Sequence, residues 1–343
     1  MSLRIPLCAL AVLLCSFISC GILPAAELNI YSARHYDDDR NLFEAFTEKT
    51  GIRVNLVEDS GDKLLARIRA EGRNSPADLF ITVDAGRLAA ADRMGIFQPV
   101  KSEVLESAIP EQLRHAEGHW FAFGKRYRII VYAKDRVDPS ELSTYEDLVH
   151  ERWRGRILVR SSSNVYNQSL LAAMIATHGQ AAAESWARGL VANFARAPQG
   201  GDRPQIAAVA AGAGDVAIVN HYYALQMRDS GDPAQEAVWG KIGLFFPNQG
   251  EGERGTHTNV SGAGLLAHAP NRDHAVAFLE YLASPEGQLA WVRGSREFPV
   301  VAGVANPLDG EGFEFRGDDT VSAQTLGELS STAMRIFDRV GWR

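Results

Sequence analysis

Apolar residues along the chain alternate between short β-branched runs and stripes with helical spacing. Three runs in the first third have the length and composition of buried strands: residues 28–32, 54–57 and 78–83. Apolar stripes between these runs predict two helices, which end near Gly51 and Gly72, and a third helix is predicted at residues 85–94. Strands that alternate with helices in this way indicate βαβ units on a parallel sheet.

The run at residues 119–134 is β-branched and aromatic, and it is too long for one ordinary strand. We interpret it as a strand that crosses from one domain into a second, and residues 256–267 as the return crossing. Between the crossings the pattern predicts helices near 145–152, from 164, near 181–191 and near 204–211, with strands at 157–159, 215–219 and 242–246. The fold-class prediction is α/β, with two α/β lobes joined by a β-strand hinge and a ligand cleft between them.

The two crossings also set the predicted domain boundaries. Lobe one is predicted to consist of residues 27–126 and 256–300. Lobe two is predicted to consist of residues 127–255 and 301–343. Residues 1–26 belong to neither predicted lobe and are treated as a separate N-terminal segment.

This first segment has the pattern of a signal for export from a bacterial cell. Arg4 precedes an almost wholly apolar stretch at residues 5–23. Residues 17–20 form an imperfect lipoprotein box, which would place a lipid on Cys20, whereas the small residues at 23–26 suit ordinary cleavage. A stretch of this length could also remain as an uncleaved membrane anchor.

The cysteine positions and the net charge limit the kinds of site and partner expected for the rest of the chain. All three cysteines, Cys8, Cys15 and Cys20, lie in the predicted signal. We therefore expect the exported chain to have no cysteine catalysis, iron–sulfur cluster or thiolate zinc site, so that any metal would be held by oxygen and imidazole ligands. The net charge of −7, with basic and acidic residues interspersed, argues against a nucleic-acid partner.

Two adjacent tyrosines follow one predicted strand of lobe two. Tyr222 and Tyr223 come directly after residues 215–219, where the pattern changes from strand to helix. Ligands bind at such strand ends in open α/β sheets. Asn220 is a candidate N-cap, and the helix dipole behind it would ease ionisation of the two phenols. The alternative is that one tyrosine is part of the core and the other lies on the surface.

Further aromatic and imidazole side chains follow other strands at the same predicted edge. His35 and Tyr36 follow the first strand of lobe one, and Tyr166 follows a strand of lobe two. Four phenols and an imidazole that converge from two lobes suit a hard trivalent cation, and ferric iron is the common biological ion of this kind. Four phenolates around a trivalent ion leave one net negative charge, which Arg34 could compensate. The alternative for Arg34 is a solvated loop charge.

These motifs resemble those of the periplasmic ferric-iron-binding proteins of ABC uptake systems, in particular the cyanobacterial-type branch. The resemblance rests on residues 31–36, 164–169 and 222–223, together with residues 75–78, 82–87 and 197–202, and it spans roughly residues 28–300. It implies a bilobal periplasmic-binding-protein fold, a monomeric Fe(3+) carrier that is not an enzyme, and delivery to the permease of an ABC transporter in the inner membrane. It also implies five metal ligands: His35, Tyr36, Tyr166, Tyr222 and Tyr223.

Other residues are candidates for supporting roles. Some members of this family complete the metal shell with carbonate or phosphate, and the serines that precede Tyr166 could hold such an anion: Ser161, Ser162 and Ser163. Asp84 and Arg87 could support His35 from behind, although an N-cap explains Asp84 equally well. His221 and His257 could be metal ligands, although ordinary hydrogen bonds are the simpler expectation for each.

Three functions remain open at this point. The first is a ferric-iron carrier. The second is a binding protein for a small oxyanion or organic solute on the same fold, which would use Arg34, the serines and helix N-termini. The third is an exported metalloenzyme, which would need an open metal position and a general acid or base.

Overall fold

Strands and helices alternate along the chain in the computed structural model, which describes residues 26–34, 36 and 38–343. The strands are β1 (Glu27–Ser32), β2 (Arg53–Glu58), β3 (Leu79–Val83), β4 (Phe121–Ala133), β5 (Ile157–Leu158), β6 (Val216–Asn220), β7 (Ile242–Phe245), β8 (Thr258–Leu265) and β9 (Phe298–Pro299). The helices are α1 (Asp39–Thr50), α2 (Gly61–Glu71), α3 (Ala85–Arg93), α4 (Glu103–Ala108), α5 (Val165–His178), α6 (Gln180–Ala192), α7 (Asp202–Ala210), α8 (His221–Arg228), α9 (Pro233–Lys241), α10 (Arg272–Ala283), α11 (Pro285–Ser295) and α12 (Ala323–Val340).

The first lobe is built on β1, which pairs in parallel with β2 on one side and β3 on the other. Helices α1 and α2 connect these strands, so the predicted βαβ units are confirmed. Strand β8 extends this sheet by pairing antiparallel with β3. The sheet is therefore mixed, because the return crossing enters it from the opposite direction.

Strand β4 is shared by the two lobes. Its first half pairs antiparallel with β8, from Phe121 opposite Ala263 to Tyr127 opposite Thr258. From Arg128 onward the same strand pairs with β6 and β7. The two predicted crossings are thus confirmed as neighbouring strands, and the hinge between the two lobes is a two-stranded ribbon.

The second lobe has apolar clusters on both faces of its sheet. Alternate residues of β4 separate between them, with Ile129 and Val131 in one cluster and Ile130 in the other. This alternation follows from the two-residue period of a strand. A sheet that is covered on both faces leaves its strand ends as the place for ligand contacts.

Helix α12 contacts both lobes. Ala323 and Leu326 belong to the apolar cluster of the first lobe, whereas Ile336 and Phe337 belong to a cluster of the second. Gly327 allows close packing on α3, since a Cβ at this position would lie 2.1 Å from the Cβ of Ala89. The domain boundaries stay a prediction, and α12 belongs to both hydrophobic cores.

Some sequence predictions were wrong or incomplete in detail. The helix predicted at 145–152 is a pair of 3₁₀ turns, Glu146–Val149 and Glu151–Trp153. The short helices α9 and α11, each begun by a proline, were not predicted. The predicted signal, its cleavage positions and the lipid on Cys20 fall in residues 1–25, outside the described residues. Within the described part of the chain, no helix combines the length and the apolar character needed to cross a membrane.

Candidate metal-binding site

Two phenol side chains of the second lobe contact the guanidinium of Arg126, and a third packs against one of them. The guanidinium carbon lies 4.8 Å from the ring centre of Tyr166 and 4.6 Å from that of Tyr222. Arg126 Nη2 donates to the hydroxyl oxygen of Tyr166 at 3.3 Å and to that of Tyr222 in a short contact. The ring of Tyr223 lies 4.4 Å from that of Tyr222. The phenol oxygens of Tyr166 and Tyr222 therefore meet at a buried positive charge.

Parallel pairing of β5 with β6 brings these tyrosines to one edge of the sheet. Tyr166 is in the first turn of α5, which follows β5, and the Asn164 side chain caps this helix by accepting from the Tyr166 amide at 3.1 Å. Tyr222 and Tyr223 are in the first turn of α8, which follows β6 directly. The sequence prediction that strand ends bring these three phenols together is confirmed.

Asn220 occupies the predicted N-cap position of α8, but its side chain makes no capping hydrogen bond. The side-chain amide donates instead to the hydroxyl of Tyr222 at 3.1 Å, and its oxygen accepts from Arg128 at 3.2 Å. Arg128 is also paired with the buried carboxylate of Asp202 at 2.8 Å. The Asn220 side chain therefore orients the Tyr222 phenol and does not cap α8.

Tyr36 approaches this cluster from the first lobe. Its ring lies edge-on to the ring of Tyr222, with centres 6.5 Å apart and planes at 86°. A cleft of about 450 Å³ separates the lobes here, and Tyr36, Tyr166 and Tyr223 line it together with Arg126. His35 falls outside the described residues.

Burial and Arg126 act in opposite directions on the phenols. Burial raises the pKa of Tyr222 and Tyr36, and it raises the pKa of Tyr223 to about 12. For Tyr166, burial also acts to raise the pKa, but the Arg126 charge and hydrogen bonds within the cluster outweigh it, so the pKa is lowered. The Tyr166 phenol is thus easier to ionise than a free tyrosine. The other three phenols need a more highly charged cation nearby before they lose their protons.

Residues 74–323 match the family of bacterial extracellular solute-binding proteins. The chain belongs to this family. Iron uptake protein A2 of Synechocystis sp. is 51% identical over 92% of this chain and 90% of its own length. The major ferric iron-binding protein of Neisseria meningitidis serogroup B is 27% identical over 96% of this chain and 98% of its own length.

Solved structures of similar proteins share the two-lobe fold. A Trichodesmium protein in complex with iron and citrate ligands has a TM-score of 0.89 and 51% identity, covering 93% of this chain and 100% of that one. A ferric binding protein from Campylobacter jejuni has a TM-score of 0.86 and 40% identity, covering 92% and 100%. The bilobal binding-protein fold expected for this solute-binding protein is confirmed.

Arg34 of the solute-binding protein is buried, so the alternative of a solvated loop charge is wrong. Its guanidinium pairs with Asp39 at 2.8 Å and with Glu297 at 3.1 Å, and it lies 4.9 Å from the ring centre of Tyr36. Two carboxylates already balance this charge. Arg126, which contacts the phenol oxygens themselves, is the better placed of the two guanidiniums for charge compensation.

Asp84 caps α3, as the simpler of the two interpretations predicted. It accepts from the Gly86 amide at 2.8 Å, from the Ser169 hydroxyl of α5 at 2.7 Å and from the Asn259 amide of β8 at 2.7 Å. Its φ of 80° is unusual for a residue other than glycine, and these three bonds hold it there. Arg87 lies toward α2, with its Nε 3.8 Å from Asp62. No hydrogen bond within the described residues joins Asp84 or Arg87 to a phenol.

The serines before α5 form a polar turn of their own. Ser161 Oγ lies 3.0 Å from Ser163 Oγ and accepts from the Ser163 amide at 3.2 Å, and the carbonyl of Ser162 accepts from Gln168. Their role in holding an anion stays a prediction. His221 hydrogen bonds to backbone atoms of Tyr127 and Arg296, as expected. The same expectation was wrong for the Nε2 of His257, which is buried without a partner among the described residues.

Arg126 and Glu297 were missed in the sequence. Arg126 lies in the apolar run of β4, and a charged residue inside a buried strand is itself a signal of function. Its Nε lies 3.1 Å from Glu297, which also pairs with Arg34, so one carboxylate joins both guanidiniums. Glu297 gave no such signal, because it lies in the two-residue connection between α11 and β9, outside any strand that the sequence pattern predicts.

Proposed function

We propose that this solute-binding protein captures ferric iron in the cleft between its lobes and delivers it to the permease of an ABC transporter. The observation that carries the proposal is the group of phenols around Arg126, with Tyr36 facing it across the cleft. Phenolates are hard anionic ligands, and a trivalent cation rewards them most. The names of the similar proteins, which include iron uptake and ferric iron-binding proteins, support the same ion.

The proposed ligands are His35, Tyr36, Tyr166, Tyr222 and Tyr223. Tyr166 would ionise first because its pKa is already lowered. The approaching cation would then displace the protons of the remaining phenols, whose pKa values burial has raised. Binding would therefore release protons, and acidification would release iron. Arg126 would balance the surplus negative charge of four phenolates around a trivalent ion.

The remaining assignments follow from this proposal. A carrier that is exported to the periplasm needs no catalytic group, and we propose that the chain acts as a monomeric carrier rather than as an enzyme. Carbonate or phosphate at Ser161, Ser162 and Ser163 could complete the metal shell.

The second candidate function is a binding protein for a small oxyanion or organic solute. It finds support in the guanidiniums of Arg126 and Arg203, which line the cleft.

Ferric loading of phenylalanine variants tests the proposal. We expect the wild-type chain to bind one equivalent of iron by elemental analysis and to become red to purple through phenolate-to-iron charge transfer. Tyr222→Phe and Tyr223→Phe should each lower the affinity by more than about tenfold, since losing a direct ligand should cost at least as much as losing a supporting contact.

Tyr281→Phe is the matched control. Tyr281 is buried beside Phe46 in the first lobe, and its hydroxyl has no hydrogen-bond partner among the described residues. This variant should bind iron as the wild type does. A wild-type chain that stays colourless and iron-free after loading would contradict the proposal and leave the oxyanion candidate.

A further inference from the structure

A cluster of two imidazoles and a carboxylate lies in the first lobe, apart from the phenols. Asp92, in the last turn of α3, faces His115 and His119 in the turn that precedes β4. Asp92 Oδ1 lies 2.5 Å from His119 Nδ1, and Asp92 Oδ2 lies 3.3 Å from His115 Nε2. One ligand atom from each of the three residues falls within 4.8 Å of the other two.

The backbone holds the two imidazoles in place. The His115 amide donates to the Trp120 carbonyl at 3.0 Å, and the Gly118 amide donates to the His115 carbonyl at 3.0 Å. Gly118 has a φ of 75°, and a Cβ there would lie 2.4 Å from the carbonyl oxygen of Val100, so only glycine fits this turn. As a result the two imidazole rings are stacked, with centres 4.6 Å apart and planes at 5°.

This donor set suits a borderline divalent cation. Two imidazole nitrogens and one carboxylate oxygen are the ligands of many zinc sites in which water takes the fourth position. The side chains of His115, His119 and Asp92 are 11%, 22% and 23% exposed, so the cluster is held by the fold but open to solvent on one side. An incoming ion can therefore reach it and keep a water molecule.

The cluster is separate from the proposed iron site. Asp84, at the N-terminus of α3, contacts β8 and α5 near the cleft, whereas Asp92 is at the other end of this helix. Eight residues of helix place the two carboxylates about 12 Å apart along its axis. The ligand classes differ too, because imidazole prefers borderline divalent ions and phenolate prefers ferric iron.

We propose that Asp92, His115 and His119 form a second metal site, which binds a zinc-class divalent cation with one or more water molecules. The inference does not depend on the proposed iron function. One local change accompanies binding. The Glu117 amide now donates to His115 Nδ1 at 3.1 Å, and coordination through Nε2 moves the imidazole proton to Nδ1. That hydrogen bond must then open, so the Glu117 amide reports on occupancy.

Zinc titration of the metal-free chain by calorimetry tests the site. We expect the wild type to bind zinc saturably, and His119→Gln and Asp92→Asn to weaken this binding by more than about tenfold. His150→Gln is the matched control, since His150 is an exposed imidazole beside Asp147 and outside the cluster. It should bind zinc as the wild type does, and so should Tyr222→Phe, which alters only the phenols.

X-ray absorption spectroscopy at the zinc edge gives a second readout, and its wild-type result does not rely on any variant folding. The spectrum of the wild-type complex should contain the scattering of two imidazoles, and that of His119→Gln only one. The proposal is overturned if the wild type shows no saturable zinc binding or if its spectrum lacks imidazole scattering. It is also overturned if zinc binding survives in His119→Gln but is lost in Tyr222→Phe, because the phenols would then be the zinc ligands.

Discussion

Arg126 contacts both the phenol oxygens and a buried carboxylate of the cleft. It donates to the phenol oxygens of Tyr166 and Tyr222, and its Nε lies 3.1 Å from Glu297. Before metal binding, this buried guanidinium supplies the only described positive charge that contacts those two oxygens. It therefore decides how readily the first phenol loses its proton, and hence the pH at which iron can begin to bind.

Replacing Arg126 tests this role. Arg126→Met removes the charge and keeps much of the volume, so the phenols should become harder to ionise. We expect the pH midpoint of ferric binding, followed by visible absorbance, to rise by about one unit or more, which is the usual effect of an opposite charge at this distance.

The control for this substitution is Arg188→Met, which alters a mostly exposed arginine on α6. Glu297 keeps its pairing with Arg34 in the Arg126 variant, so a folded chain is expected. An unchanged pH midpoint in a folded Arg126→Met chain would show that Arg126 does not govern ionisation of the phenols.

At the scale of elements, sequence patterns were sufficient to predict the strand ends. Tyr166 and Tyr222 follow buried apolar runs, and the rule that parallel strands share a ligand-binding edge brings them together. Both hinge strands were predictable because β4 is longer than ordinary strands and β8 is a second β-like stretch with closely spaced glycines.

Side-chain partners across the hinge could not be predicted in the same way. Arg126 meets Glu297 only because β9 pairs with β4 beside it, and this register depends on long-range packing rather than on local pattern. Asn220 has the residue type and position of an N-cap, but the guanidinium of Arg128 and the Tyr222 hydroxyl compete for its side chain. Local propensity therefore predicted the position and not the partner.

The hinge carries a buried imidazole that should make the fold sensitive to acid. His257 directly precedes β8, and burial, with the nearby charges of Arg128 and Arg254, lowers its pKa to about 3. Its Nε2 has no partner among the described residues. Protonation of this imidazole in the folded state is consequently unfavourable.

The effect of pH on stability follows from this pKa. Above pH 6.5 the imidazole is neutral in both states, and it contributes no pH dependence. As the pH falls below 6.5, His257 is protonated in the unfolded chain but stays neutral in the folded chain. The free energy of unfolding therefore falls. Between pH 7.5 and 4.5 the loss should reach about 2.7 kcal/mol, because each pH unit well below the unfolded pKa of about 6.5 costs about 1.36 kcal/mol.

Urea unfolding of the metal-free chain at pH 7.5, 5.5 and 4.5 measures this loss. His257→Gln should be less stable than the wild type at pH 7.5, and the difference should shrink as the pH falls. His150→Gln serves as the exposed control and should follow the wild type. A difference between wild type and His257→Gln that stays constant with pH would contradict the assignment.

At the scale of the whole molecule, each of the two lobes contributes part of the proposed metal site. Tyr36 belongs to the first lobe, and Tyr166, Tyr222 and Tyr223 belong to the second, so a metal that binds all of them favours the closed arrangement by its differential affinity. The β4–β8 ribbon and α12 connect the lobes. We expect the second lobe to capture iron first and the first lobe to complete the shell.

Resonance Raman spectroscopy of the ferric-loaded chain, excited in its visible absorption band, tests the central proposal most directly. Only groups bonded to the iron are enhanced in such a spectrum, so it identifies the ligands themselves. Phenolate coordination predicts enhanced tyrosine ring modes, which shift when the chain is produced with ring-deuterated tyrosine and weaken in Tyr222→Phe and Tyr223→Phe. A spectrum without tyrosine ring modes, or with modes that deuteration does not shift, would show that the phenols do not hold the iron.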